Sequence, residues 1–193
     1  HCVRGIKGAP VVWENVERYI SDTCLDRMKI VQAPPTGRHA AIIGSGPAGL
    51  TAAIRLAAHG HDVTIFEAEN KLGGMLRYGI PEFRLPKSIL DRYTVLIKKA
   101  GIHLRLNTAI GTSLAIPDLF RDGYDAVFIA TGLWRARPLN VPGESLPNVC
   151  YGIHYLASPE SFDIGKRVAV IGTGNTAMDV ARTAIHGGAD YVT

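Results

Sequence analysis

Short apolar runs alternate along the chain with stretches in which apolar residues recur every three or four positions. The runs are His39–Ile43, Asp62–Glu67, Ile102–Leu106, Ala126–Ala130 and Arg167–Ile171. Each has the length and composition of a buried strand. Between them, Ala48–His59 places Leu50, Ala53, Ile54 and Ala57 on one helical face and closes at Gly60. Pro86–Ala100 starts on a proline and stops at Gly101, the order expected of a helix. Pro117–Arg121 predicts a short helix, and Arg167–His186 a strand–turn–helix unit. Ala189–Thr193 reads as the start of another strand. Strands that alternate with helices predict an α/β fold with a doubly wound parallel sheet.

The flanking segments read differently. Residues 1–10 are a loop with Gly5, Gly8 and Pro10, and 12–21 a short helix with Val12, Val16, Tyr19 and Ile20 roughly on one face. Gln32–Arg38 is a linker, because Pro34, Pro35 and Gly37 cannot continue a helix. Residues 133–164 carry Pro138, Pro142, Pro147 and Pro159 and predict irregular structure. The expected division is a leading segment over 1–37, one nucleotide-binding domain over 38–164, and the beginning of a second over 165–193. The chain opens on His1 rather than Met and ends inside a predicted strand, so an excerpt of a longer protein is expected.

Composition narrows the class. Hydrophobic residues make up 47% of the 193, enough for a core and too many for a disordered chain. The net charge of +4 is interspersed, with no run of five like charges, which predicts neither a nucleic-acid arm nor a membrane patch. No apolar stretch reaches the roughly 18 residues of a membrane span. The cysteines, Cys2, Cys24 and Cys150, are odd in number and far apart, arguing for a reducing compartment, expected to be the cytoplasm. Without a C-x-x-C the chain holds no redox dithiol. The histidines show no metal spacing and read as surface or packing residues. No Ser–His–Asp set or carboxylate pair is evident.

The 21 glycines concentrate where chemistry is expected. Gly44-Ser45-Gly46-Pro47-Ala48-Gly49 follows a predicted strand and opens a predicted helix. In this pattern the first glycine permits a tight turn, the second lets backbone approach a pyrophosphate, and the third lets helix pack on strand. The helix N-terminus offers free N–H groups and partial positive charge to phosphates. Glu67, 18 residues past Gly49, stands where an acid accepts ribose hydroxyls, about 20 residues on. Gly172-Thr173-Gly174-Asn175-Thr176-Ala177 repeats the pattern with alanine in the third place. Its ribose-reading residue, which separates NADH from NADPH, is expected near position 194, past Thr193. Two such folds predict two dinucleotides, most economically a flavin and a nicotinamide, between which hydride passes readily. Hydride transfer needs positioning rather than an acid–base dyad.

Residues 39–49 (HAAIIGSGPAG), 61–69 (HDVTIFEAE), 73–87 (GGMLRYGIPEFRLPK), 124–132 (YDAVFIATG) and 171–182 (IGTGNTAMDVAR) resemble the small-subunit flavoprotein family of NADPH-dependent glutamate synthase. Its relatives include the flavin half of dihydropyrimidine dehydrogenase, the large subunit of ferredoxin–NADP transhydrogenase, and sulfide dehydrogenase. The resemblance implies that the first fingerprint, with Glu67 and Ala68, binds FAD and the second NADPH. It implies further FAD contacts from Gly74, Met75 and Leu76 beside the isoalloxazine, from Arg84, and from the turn Ala130-Thr131-Gly132. From the residues alone Arg84 reads as a solvated surface charge. The resemblance also makes 1–37 the tail of an iron–sulfur domain plus linker, with Cys2 as the last ligand of a [4Fe–4S] cluster whose other ligands lie elsewhere. Cys24 and Cys150 read as small buried hydrophobes. Asp179 is open to two readings, a bond to backbone or one to nicotinamide, and Trp134 reads as packing near the flavin or in the core.

The function implied is electron input from NADPH through FAD and [4Fe–4S] clusters to a partner, the large glutamate synthase subunit or another electron-accepting subunit or domain. The alternatives are the same module serving a pyrimidine, ferredoxin or polysulfide, and a binding module that keeps FAD without taking hydride.

Overall fold

A computed structural model describes residues 2–27 and 29–193, the side chain of Asp26 apart. Four parallel strands form the main sheet: β1 (His39–Ile43), β2 (Asp62–Phe66), β3 (His103–Arg105) and β4 (Ala126–Ile129), in the order β3-β2-β1-β4. Ile42 pairs with Ile65 on one side of β1 and with Phe128 on the other. The order reverses at β1: the chain moves from β1 to β2 and β3 in one direction, then returns to β4 on the other side. Doubly wound sheets bind ligands outside the carboxyl ends of their strands at such a reversal.

Helices α1 (Trp13–Cys24), α2 (Pro47–Ala58), α3 (Met75–Tyr78), α4 (Lys87–Lys99), α5 (Ile116–Arg121), α6 (Gly152–Ala157) and α7 (Asn175–His186) complete the order with two short strands, β5 (Arg167–Val168) and β6 (Tyr191–Val192), paired in parallel. The core lies between α2, α4 and the sheet. Ile42, Leu50, Ala53, Val63, Ile65, Ile97 and Ile102 are buried together, and each large aliphatic there contributes about 1.5–3 kcal/mol. A second cluster, Ala41, Ile43, Phe66 and Leu119, fills the other face under α5. The expected parallel α/β sheet is therefore present, with α2 and α4 within a residue of their predicted bounds.

Several expectations need correction. The strand expected to be buried over 126–130 is the sheet edge, and Phe128 and Ile129 are exposed, because among the described residues nothing pairs beyond β4. The predicted strand over 167–171 is ordered only at Arg167–Val168, and Ile171 is exposed. The segment 133–164 is not wholly irregular: α6 forms between its prolines, with Tyr155 buried against α7. The apolar face of α1 exists, but Trp13, Val16, Tyr19 and Ile20 are all exposed. Cys150 is exposed and Cys24 half-buried, since neither lies under the sheet. No described helix is long and apolar enough to cross a membrane.

Candidate dinucleotide site

The first fingerprint closes the end of β1. The Gly44 N–H donates to the Phe66 carbonyl and the Ala130 N–H to that of Ile43, which brings the ends of β1, β2 and β4 together. Gly44 sits at φ +102, and a Cβ there would run into the Ala130 carbonyl. A Cβ on Gly49 would run into the Gly44 carbonyl. Both glycines are thus fixed by protein packing. Gly46 differs: its nearest non-adjacent atom is the Gly74 Cα, 4.0 Å from where a Cβ would stand. The space before Gly46 is the cradle that a pyrophosphate needs.

Gly46 is also the N-cap of α2 and no side chain caps it. The first helical bond runs from the Leu50 N–H to the Gly46 carbonyl, which leaves the Ala48 and Gly49 N–H groups available to an anion. Pro47 and Ala48 are exposed at this mouth, as is Ala68. Gly74 faces the loop from the opposite side at φ +52, where a Cβ would come within 2.8 Å of the Gly46 Cα. It caps α3, which carries Met75 and Leu76 half-buried along the same rim. Thr131 and Gly132 (φ +74) are exposed beyond Gly44. Trp134 packs edge-on against Tyr78, with ring centroids 6.3 Å apart. The fingerprint, Glu67, Ala68, Gly74–Leu76 and Ala130–Gly132 therefore share one rim, and this rim fits a flavin dinucleotide.

Glu67 is buried beside the loop. Its Oε2 accepts from the Ser45 N–H at 2.8 Å and from the Ser45 hydroxyl, and its Oε1 accepts from the Glu69 N–H at 2.9 Å. The Ser45 oxygen in turn accepts from the Gly73 N–H at 3.1 Å. The acid expected to read a ribose also welds the fingerprint to the 73–76 loop. Sequence spacing locates Glu67 but gives no sign of this inward network.

Lys87, outside the expected set, holds the same loop. Its ammonium donates to the carbonyls of Leu76, at 2.9 Å, and Ile80. Burial pulls its pKa below the ordinary lysine value, against an opposing pull from Glu82. Its place directly after F-R-L-P is the sequence signal that marks it.

The second fingerprint opens α7 in the same manner. Gly172 takes φ +138, and a Cβ there would meet the Ala177 Cβ at 3.4 Å, the close approach that the small third residue allows. Gly174 is the uncapped N-cap and a Cβ on it would meet nothing within 4 Å. Thr173, Asn175 and Thr176 are exposed around it. This second uncapped N-terminus, with open space at its glycine, fits a second dinucleotide phosphate.

Arg84 is not a free surface charge. Its Nη1 donates to both carboxylate oxygens of Asp179, each at 2.7 Å. These bonds, and the negative charge behind them, raise the guanidinium above its ordinary pKa. Asp179 is 4% exposed, so its charge is tolerable only because it is paired. The structure pairs it with this guanidinium rather than with backbone.

Cys2 lies far from this rim in sequence and is half-buried with a free thiol. Backbone hydrogen bonds, the largest from Val11 and others from Arg4 and Gly5, draw the thiol below its usual value. Among the described residues no three His, Cys, Asp or Glu side chains converge on a metal position. One thiol does not make a cluster site, so the residues present do not fit a complete [4Fe–4S] group.

Residues 38–193 match the family described as pyridine nucleotide-disulphide oxidoreductase. The chain belongs to that family. It is 37% identical to the glutamate synthase [NADPH] small chain of Azospirillum brasilense over 92% of its own length and 40% of the relative's. It is 46% identical to the NADP(+)-dependent formate dehydrogenase subunit beta of Moorella thermoacetica, over 83% of the chain and 23% of the relative. The solved structure of Mycobacterium tuberculosis FprA in complex with NADPH superposes with a TM-score of 0.66 at 29% identity, over 78% of this chain and 36% of that one. The resemblance read from the motifs is borne out by these relatives. The chain spans less than half the length of each.

Proposed function

We propose that this family member is the electron-input part of an FAD- and NADPH-dependent oxidoreductase of the glutamate synthase small-subunit type. The observation that carries the reading is the pair of uncapped helix N-termini, at Gly46 and Gly174, each opening from a glycine turn at the end of a strand run. FAD, when bound, supplies acceptance of hydride from a reduced nicotinamide and onward release of electrons. The α2 N-terminus receives its pyrophosphate, and Gly46 keeps the approach open. Glu67 has lone pairs left for ribose hydroxyls after its three internal bonds. Gly74, Met75, Leu76 and Ala130–Gly132 would hold the flavin along the rim they share, and Arg84 would be a further contact to it. Gly172–Thr176 receive the NADPH pyrophosphate.

The domain division that goes with this reading is an FAD-binding domain over 38–164 and the beginning of a nicotinamide-binding domain over 165–193. Residues 1–37 are the tail of an iron–sulfur domain, where Cys2 supplies one thiolate of a [4Fe–4S] cluster. The acceptor is a larger partner subunit or domain, the glutamate synthase large subunit in the first instance, in the cytoplasm.

The test is the visible spectrum of the full-length protein purified without oxygen, before and after NADPH and, separately, NADH. A flavin band that bleaches is expected, over broad iron–sulfur absorbance, and the faster nucleotide identifies the donor. Flavin that neither nucleotide bleaches would overturn the hydride step. Absence of flavin would overturn the assignment of the first fingerprint.

A further inference from the structure

Besides α6, one short segment of the first nucleotide-binding unit reaches α7. Phe83 and Arg84 lie between Pro81, whose carbonyl accepts from the Arg84 N–H at 3.0 Å, and Lys87, which opens α4. Both side chains reach α7. Arg84 meets Asp179, and the Phe83 ring lies 4.8 Å from that of His186, tilted by 36°. Asp179, Thr183 and His186 are spaced by four and three residues, so they share one helical face. Between the two contacts is a cavity of about 290 Å³, lined in part by Phe83, Lys87, Thr183 and His186. The buried Thr183 hydroxyl oxygen has no hydrogen-bond partner among the described residues.

The two ends of this seam differ in kind. Nη1 of Arg84, whose side chain is 39% exposed, bonds both oxygens of a carboxylate that is 6% exposed, a charge-assisted contact. The other end is an aromatic contact to His186, itself exposed, and between the two ends the segment and α7 face each other across the cavity that Thr183 lines. Beside the packing of α6 on α7, the charge-assisted contact that aligns α7 with the 81–87 segment is therefore the one Asp179 makes. Because Asp179 sits five residues past Gly174 on the same helix, it also fixes where the second fingerprint points.

We propose that Asp179 is a positioning residue for hydride transfer: through Arg84 it sets the second nucleotide fold against the first. The inference rests on the reading above and deepens it. Hydride transfer depends steeply on the separation of the reacting atoms, and a misplacement of about 1 Å costs up to roughly 100-fold in rate. Binding at each fingerprint depends on local backbone that Asp179 does not touch. Loss of the bridge should then separate rate from affinity.

The experiment uses full-length holoprotein and its Asp179→Asn variant. Asparagine keeps the shape and loses the charge. Flavin content and the dissociation constant for NADP+ should match the wild type. Flavin bleaching at saturating NADPH, followed in a single turnover, should slow by about 10- to 100-fold. Hydrogen exchange in residues 81–87 should quicken even in flavin-free protein, a readout independent of turnover. His186→Ala, at the looser end, should slow bleaching in the same direction by less, and it decides the matter if Asp179→Asn does not fold. A variant that bleaches at the wild-type rate overturns the proposal. So does one whose slower rate is matched by weaker NADP+ binding, which would place Asp179 in the nucleotide site. Wild-type flavin that no nucleotide bleaches removes the proposed function and this inference together, whereas a bleaching wild type with an unchanged variant removes the inference alone.

Discussion

Ser45 and Glu67 stand 22 residues apart in sequence and share a buried network in which one carboxylate oxygen takes both the N–H and the hydroxyl of the serine. The first is the second residue of a glycine fingerprint, and the second follows the last residue of β2 directly. Through the serine oxygen the network extends to the Gly73 N–H. One acid thus holds three segments of the cofactor rim in register before any ligand arrives.

Glu67→Gln is expected to destabilise the protein as well as weaken FAD binding. It replaces charge-assisted bonds to two N–H groups and a hydroxyl with weaker ones, where a bond to a charged group contributes about 1.5–3 kcal/mol. Urea unfolding of the flavin-free protein should show a lower midpoint for Glu67→Gln, and Ser45→Ala should show a smaller decrease. An unchanged midpoint in both would mean that the network carries no stability.

The glycines of the two fingerprints should separate into two kinds. Gly49→Ala drives a methyl into the Gly44 carbonyl and should destabilise by at least the 1–3 kcal/mol typical of overpacking. Gly46→Ala and Gly174→Ala meet no clash. These two should melt close to the wild type, yet lose FAD retention and NADP+ binding respectively. Melting curves beside ligand titrations distinguish the two classes.

Lys87→Met should loosen the cofactor loop without disturbing the sheet. The ammonium is the donor that holds the Leu76 and Ile80 carbonyls, and methionine fills its volume without replacing those bonds. Faster hydrogen exchange is expected over 76–80, with β1 and β2 unaltered.

Acid should loosen the junction between linker and sheet. Asp125 accepts from the His39 N–H at 2.7 Å and from Arg38 at 2.9 Å. The bond from His39, then that from Arg38, hold its carboxyl below the ordinary aspartate value. A lowered folded pKa means that the unfolded chain binds more protons in this range. The contribution of Asp125 is complete above the ordinary value and is lost as pH falls through it toward the lowered one. Melting temperature should therefore fall less steeply with acid in Asp125→Asn than in the wild type, with the difference confined to the acidic carboxylate range.

Much of the fold was legible because its signals are local. Alternating apolar runs and helical faces located β1, β2, α2 and α4, since a residue buried on both sides of a sheet must be apolar wherever the strand ends up. The fingerprint glycines were legible for a related reason. A φ of +102 at Gly44 and the contact of Gly49 with the Gly44 carbonyl are demands that only glycine meets. What failed depended on neighbours. Ala126–Ala130 has the composition of a central strand, but whether a strand is central or at an edge is decided by what pairs with it. The α1 face and Ile171 are apolar in sequence and exposed in the fold for the same reason.

The sequence by itself determined the parallel α/β class, the two glycine turns and the family to which they belong, because each is written in residues close together along the chain. Only the tertiary structure decided the partners of the charged groups. Arg84 and Asp179 are 95 residues apart and Ser45 and Glu67 are 22 apart. No local pattern marks either pairing, since a charge can take any opposite charge or polar group that folding delivers. Which one it takes follows from the reversal of strand order at β1 and from the packing of α7 against the segment between α3 and α4.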